Sequence, residues 1–175
     1  MKRLWAPWRM EYILDDKKHE ICLFCDVSKK DKNRVNKTRD RKNLILFRGG
    51  KSFIMLNKYP YNSGHLMVVP YTHEASLEGL QPNERAEMME LAVAGEGVLR
   101  EAYKPDGFNL GMNLGRAAGA GIEPHFHLHI VPRWSGDTNF MTVTAGTRVI
   151  PLDLRKTRDT LKRSFVERMK SGEGP

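Results

Sequence analysis

The sequence predicts an α+β domain with a mostly antiparallel sheet. Three observations carry that expectation: five short apolar runs bounded by turn residues, one long stretch of helical period between the third and fourth runs, and a second helical stripe near the C-terminus. At 175 residues and 40% hydrophobic content, the chain reads as one globular domain with appendages. The expected division is an N-terminal arm over 1–43, a core domain over 44–150, and a C-terminal helix and tail over 151–175.

The arm opens Met1-Lys2-Arg3-Leu4-Trp5-Ala6-Pro7-Trp8, with no continuous apolar stretch and no small-residue cleavage pattern, so it is not read as a signal peptide. The longest apolar runs are far shorter than the ~20 residues a transmembrane helix needs. Two cysteines, Cys22 and Cys25, make no disulfide framework, and the chain is expected in the cytoplasm. The net charge is +8, and it is unevenly placed. Residues 1–51 hold 15 Lys/Arg and 7 Asp/Glu, whereas 52–175 hold 14 of each. The excess peaks over residues 29–42, which offer almost nothing apolar to bury and are expected to be a mobile surface loop. That loop could attract polyphosphate or nucleic acid, but no interleaved aromatics provide a stacking platform.

Leu44 to Phe47, Ser52 to Leu56 and His65 to Val69 read as successive strands, separated by Arg48-Gly49-Gly50 and by the turn from Lys58 to Gly64. A helix should open near Pro82, because proline suits the first helical position, and close before Lys104-Pro105. Met88, Leu91, Ala92, Val98, Leu99 and Ala102 give it one apolar stripe, weakened by Gly95 and Gly97. Phe108 to Asn113 and Phe126 to Val131 read as two further strands. Leu154, Leu161, Phe165 and Met169 mark a second helix from about Asp153 to Lys170.

The chemistry concentrates in His125-Phe126-His127-Leu128-His129. Strict alternation on an extended strand puts three imidazoles on one face and Phe126, Leu128 and Ile130 on the other. Three titratable groups side by side suit anion binding, metal binding or phosphoryl transfer better than a core. As ligands of one catalytic metal they converge poorly, because alternate residues on a strand stand ~6.5 Å apart. Phosphoryl transfer asks for less: one ring attacks phosphorus while another bonds the non-bridging oxygens. The preceding Asn113-Leu114-Gly115-Arg116-Ala117-Ala118-Gly119-Ala120-Gly121 can bring backbone N–H groups close to phosphate oxygens, although it lacks the ending and the following helix of a P-loop. Cys22-Leu23-Phe24-Cys25 is half of a zinc site, with further ligands sought among His19, His65, His73 and the first triad histidine. A redox pair is the rival reading. Structural zinc is preferred, since four ligands would pin the N-terminal arm.

The run His125 to Val131 fits the pattern His-φ-His-φ-His-φ-φ (φ apolar) and resembles the histidine-triad (HIT) family. Leu56-Asn57-Lys58-Tyr59-Pro60 with Gly64 to Pro70 resembles that family's nucleoside-side hairpin, and Phe108 to Asn113 with the glycine loop resembles its phosphate side. Arg3 to Tyr12 and Pro132 to Phe140 resemble the branch containing bacterial diadenosine-tetraphosphate phosphorylases. The resemblance implies a homodimer, each subunit giving a five-stranded antiparallel sheet, and residues 44–150 as the catalytic domain. It implies His127 as nucleophile through a nucleotidyl-histidine, His129 and backbone donors near Gly119 and Gly121 on the phosphate oxygens, Asn113 on the phosphate, and Asn57 on the ribose. It also implies structural zinc on Cys22, Cys25, His73 and His125, and no organic cofactor. Ala120 stands where many hydrolytic members carry Gln, so Arg116 or backbone donors must substitute, and water and phosphate both stay open as acceptor. The function expected is cleavage of a nucleoside phosphoanhydride. The alternatives are an adenosine phosphoramidate hydrolase, a nucleotide-binding or interaction module with little catalysis, and a zinc hydrolase using the triad as ligands. No membrane partner is expected. Nucleic acid stays possible through residues 29–42.

Overall fold

The computed structural model describes residues 22–29, 36–119, 124–137 and 153–170. In chain order the elements are α1 (Leu23–Ser28), α2 (Lys37–Lys42), β1 (Ile45–Arg48), β2 (Ser52–Leu56), β3 (Leu66–Pro70), α3 (Pro82–Tyr103), β4 (Gly107–Met112), a short 3-10 turn (Arg116–Ala118), β5 (Leu128–Arg133) and α4 (Leu154–Lys170). The five strands form one sheet in the order β1-β2-β3-β5-β4, and every pairing is antiparallel.

Period-two alternation splits the apolar residues between two faces. Leu44, Leu46, Ile54, Leu56, Leu66, Val68, Phe126, Leu128 and Ile130 join the larger core with Leu91, Val98 and Leu99 of α3 and Leu161 and Phe165 of α4. The intervening residues Ile45, Phe53, Met55, Met67 and Val69 face the other way and pack with Phe24 and Val27 of α1. Both faces of β2 and β3 are therefore buried, and the histidines share the second face.

Helix α3 starts at Pro82, where the Gln81 amide donates to Glu84 Oε2 at 2.7 Å. It ends at Lys104, which takes a left-handed conformation (φ 46°). The glycines that weaken its sequence pattern have a packing reason. A Cβ at Gly95 would lie 2.9 Å from Ile54 Cδ1 and 3.2 Å from Ile130 Cδ1, so glycine lets the helix approach the sheet. Gly97 lies beneath the Arg168 guanidinium of α4 in the same way. Helix α4 is capped by Asp153 Oδ1, which accepts from the amides of Arg155 and Lys156 at 3.0 and 2.9 Å. Among the described residues no helix is long and apolar enough to cross a membrane.

Two expectations need correction. The basic run is not a loop throughout, because residues 37–42 are helical. Asn36 Oδ1 caps this turn through the amides of Thr38 and Arg39, and the buried Asp40 pairs with Arg48 Nη2 at 2.8 Å. Arg48 also donates to the carbonyls of Ser28 and Val27, which ties α1, α2 and β1 together. Residues 30–35 of that run lie outside the described residues. The histidine strand also begins later than expected, at Leu128, so that His125 and His127 precede the ladder and only His129 is paired within it. The alternation survives nonetheless, since Phe126 and Leu128 still enter the larger core.

Candidate active site

The three histidines of the motif are all buried, and the fold gives each a different neighbour. His125 turns toward the cysteines. Its Nε2–H donates to the Pro70 carbonyl at 3.0 Å, which leaves the Nδ1 lone pair facing Cys22 Sγ at 3.3 Å and Cys25 Sγ at 3.5 Å. His73 Nδ1 lies 3.1 Å from Cys25 Sγ. Ligand atoms of Cys22, Cys25, His73 and His125 all fall within 4.8 Å of one another. A tetrahedral zinc with ~2.3 Å sulfur and ~2.0 Å nitrogen bonds sets sulfur and nitrogen about 3.6 Å apart, so this set fits the ion in both donor chemistry and span. Burial and the neighbouring Cys22 push the Cys25 thiol up, a cost that a bound cation would offset. Of the other candidate ligands, His65 lies elsewhere, and His19 is outside the described residues.

His127 comes next along the chain. Its Nδ1–H donates to the His125 carbonyl at 3.1 Å, so the free lone pair belongs to Nε2. The Phe24 ring lies against it at 4.9 Å, and the His129 ring stands nearly perpendicular at 4.7 Å. Burial holds His127 below the ordinary histidine value, which keeps the imidazole neutral.

His129 sits in β5 opposite Met67 of β3 and Gly111 of β4. The Tyr61 amide donates to His65 Nδ1 at 3.1 Å, so a neutral His65 carries its proton on Nε2 and donates it to His129 Nδ1 at 2.9 Å. His129 must then carry its own proton on Nε2, as a donor. Burial, followed by the neighbouring imidazoles, lowers His65 to about 3 and His129 to about 4, so both rings are neutral near pH 7.

An open cleft of about 370 Å³ adjoins this pair, lined by Tyr61, Asn109–Asn113, His129, Val131 and Arg133. Gly111 contributes no side chain, and a Cβ there would meet nothing within 4 Å. Arg133 at the rim bonds Asn109 Oδ1 at 2.8 Å and Asp137 Oδ2 at 2.5 Å, and Asn62 Nδ2 also reaches Asp137. Against the opposing effect of burial, Arg133, the Trp134 amide and Asn62 hold the Asp137 carboxyl below its ordinary range.

The expected site residues are thus brought together only in part. Asn113 and His129 line the cleft, whereas His127 does not and packs its ring against that of His129. Asn57 does not line it: Asn57 Oδ1 accepts from the Tyr59 amide at 2.8 Å and holds the turn after β2. Gly119, at φ 86°, follows the 3-10 turn, whereas Gly121 and Ala120 lie outside the described residues. His65, a candidate metal ligand by residue type, and Tyr61, a residue of the turn before β3, instead orient His129 together. His65 is in phase with Met67 and Val69 on the histidine face, a period-two signal that does mark it.

Comparison with known proteins places this geometry. The HIT domain family matches residues 38–136. Over 161 residues the chain is 40% identical to a Mycobacterium tuberculosis protein named AP-4-A phosphorylase, a match covering 92% of this chain and 83% of that protein. It is similar to the structure of a Zn-bound histidine triad family protein from Mycobacterium smegmatis, with 26% identity, a TM-score of 0.62, and coverage of 86% of this chain and 96% of the other. A protein from Sulfolobus tokodaii described as a hypothetical histidine triad nucleotide-binding protein shares the fold at 24% identity and a TM-score of 0.65, over 86% of this chain and 95% of its own.

Proposed function

The chain belongs to the HIT family, and we propose that it is an enzyme cleaving dinucleoside polyphosphates through a nucleotidyl-histidine formed on His127. The reading rests on one observation above all. His127 is a buried neutral imidazole whose Nδ1–H is committed to the His125 carbonyl, so its Nε2 lone pair is the one available to attack.

In the first step Nε2 attacks the α-phosphorus, and the bond to the bridging oxygen breaks. The nucleoside polyphosphate leaves with that electron pair. His129 Nε2–H, oriented by His65, donates to a non-bridging oxygen as negative charge builds there. Asn113 and backbone donors near Gly119 and Gly121 hold the remaining oxygens, and Arg133, ion-paired with Asp137, borders the cleft. Asn57 is assigned to the ribose side through the turn it supports. In the second step an acceptor oxygen attacks the nucleotidyl phosphorus and returns the electron pair to Nε2. With phosphate as acceptor, diadenosine tetraphosphate gives ADP and ATP; with water it gives AMP and ATP.

Cys22, Cys25, His73 and His125 would hold a structural zinc, which supplies rigidity beneath the nucleophile and takes no part in bond making. The protein is further read as a homodimer. Strand β4 lies at the open sheet edge beside the cleft and exposes Leu110, and light scattering of the purified chain should return twice the protomer mass.

Incubation with diadenosine tetraphosphate, with and without inorganic phosphate, tests the reaction. ADP and ATP formed only with phosphate identify a phosphorylase, and AMP with ATP in its absence identifies a hydrolase. No product under either condition would overturn the enzymatic reading.

A further inference from the structure

Two helices away from the cleft carry most of the excess charge. Residues 37–42 and 153–170 together hold eleven Lys/Arg and four Asp/Glu, whereas residues 43–137 hold eight and ten. Three of those four acids are already engaged. Asp40 is buried against Arg48, Asp153 caps α4, and Asp159 bonds both Arg41 and Arg158.

The two helices form one surface. Arg41 on α2 reaches Asp159 on α4 at 2.7 Å. Arg158 and Lys162 turn inward and donate to the carbonyls of Ile45 and Leu46, each at 3.2 Å, fastening α4 along β1. Lys162 is held below its ordinary value first by burial, then by the charges of Arg158, Lys37 and Arg48, with Asp40 opposing. Positive groups therefore converge where α2 meets α4, and Lys37, Arg41, Lys42, Arg155, Lys156 and Arg163 are exposed around that line. Strand β1 ends the sheet order opposite β4, so this face is separate from the cleft.

We propose that the α2–α4 face docks double-stranded nucleic acid through its phosphate backbone, without sequence preference. Charge sign selects a polyanion, and two further features select the duplex. The only aromatic on either helix, Phe165, is buried, so neither helix offers a platform on which unpaired bases could stack. The apolar stripe of α4, Leu161 and Phe165, is spent on the core, and Val166 is the one large apolar side chain exposed on the two helices, too little to anchor in a lipid surface. A helix of 17 residues is about 25 Å long, enough to follow roughly seven base pairs of backbone.

The test is fluorescence anisotropy of the full chain with labelled duplex and single-stranded DNA and RNA of about 20 nucleotides, alongside phosphatidylserine vesicles. Duplex should bind in preference to single strand, and should weaken roughly 100-fold between about 50 and 200 mM salt if about four phosphates are contacted. The triple variant Lys37→Ala, Lys156→Ala, Arg163→Ala should lower the salt slope by about 0.9 for each contact removed. Its cleavage of diadenosine tetraphosphate, or its thermal unfolding curve if the parent cleaves nothing, should match the parent and so report an intact fold. The proposal is overturned by absence of duplex binding at low salt, by tighter binding to single strands or vesicles, by displacement of duplex with dinucleotide, or by an unchanged slope in a folded variant.

Discussion

The proton on His129 is placed by its neighbours, and two consequences follow at the scale of single residues. The first concerns pH. His65 and His129 stay neutral in the folded chain at values of about 3 and 4, whereas an unfolded histidine titrates near ~6.5. Below that pH the unfolded chain binds protons that the folded chain refuses, so stability is full above ~6.5 and falls as pH drops toward 4, by up to about 1.4 kcal/mol per pH unit for each ring. Thermal melts between pH 7 and 5 should show this decline, and His65→Gln should make it shallower; a slope unchanged by that substitution would rule out the pairing. The second concerns Gly111, which faces His129 across the ladder and leaves the cleft floor bare. Gly111→Leu has room to fold, so its melting temperature should stay within a few degrees while KM for dinucleotide rises at least tenfold. Wild-type KM in that variant would show that substrate binds elsewhere. Alternation in the sequence put the triad on one face correctly. Periodicity fixes a face and not a partner, so the grouping of His125 with Cys22, Cys25 and His73 was legible only through the Cys-x-x-Cys spacing and the family resemblance.

Among the elements, the sheet and its two long helices were legible, because their apolar residues recur at periods of two and 3.6 and their ends carry recognisable stops. β2 matches its expected span, and α3 runs from Pro82 to Tyr103 as its first-turn proline and the Lys104-Pro105 stop imply. The two short helices were not legible. Six residues cannot sustain a helix by local propensity, so α1 and α2 exist through contacts made outside the helices themselves. For α2 these are Asp40 with Arg48 and Arg41 with Asp159. For α1 they are Phe24 and Val27 in the second core, and the Cys22 and Cys25 thiols beside His73 and His125. Since Phe24 also covers the His127 ring, zinc should couple the arm to the nucleophile. Chelation should lower the melting temperature by more than about 10 °C, a loss of roughly 3 kcal/mol or more. Activity should decline at the rate of unfolding rather than at once. Instant inhibition with an unchanged melting curve would assign the metal to chemistry instead.

Over the whole molecule, the sheet acts as a partition. One face and the helices α3 and α4 make the larger core, while the other carries the histidines, the cysteine cluster and, toward β4, the cleft. The family and the five-stranded architecture followed from motif order along the chain, and the HIT match over residues 38–136 bears out the family. Where the excess charge would gather was hidden, because it depends on α2 docking beside α4, residues more than a hundred positions apart. Turnover requires covalent chemistry at His127. It is tested most directly by mixing enzyme with diadenosine tetraphosphate, quenching within one turnover at alkaline pH, and measuring intact mass and its site. An adenylyl group on His127, absent from His127→Ala together with at least a thousandfold loss of turnover, is the predicted result; turnover that persists in His127→Ala, or an adduct on another residue, would contradict it.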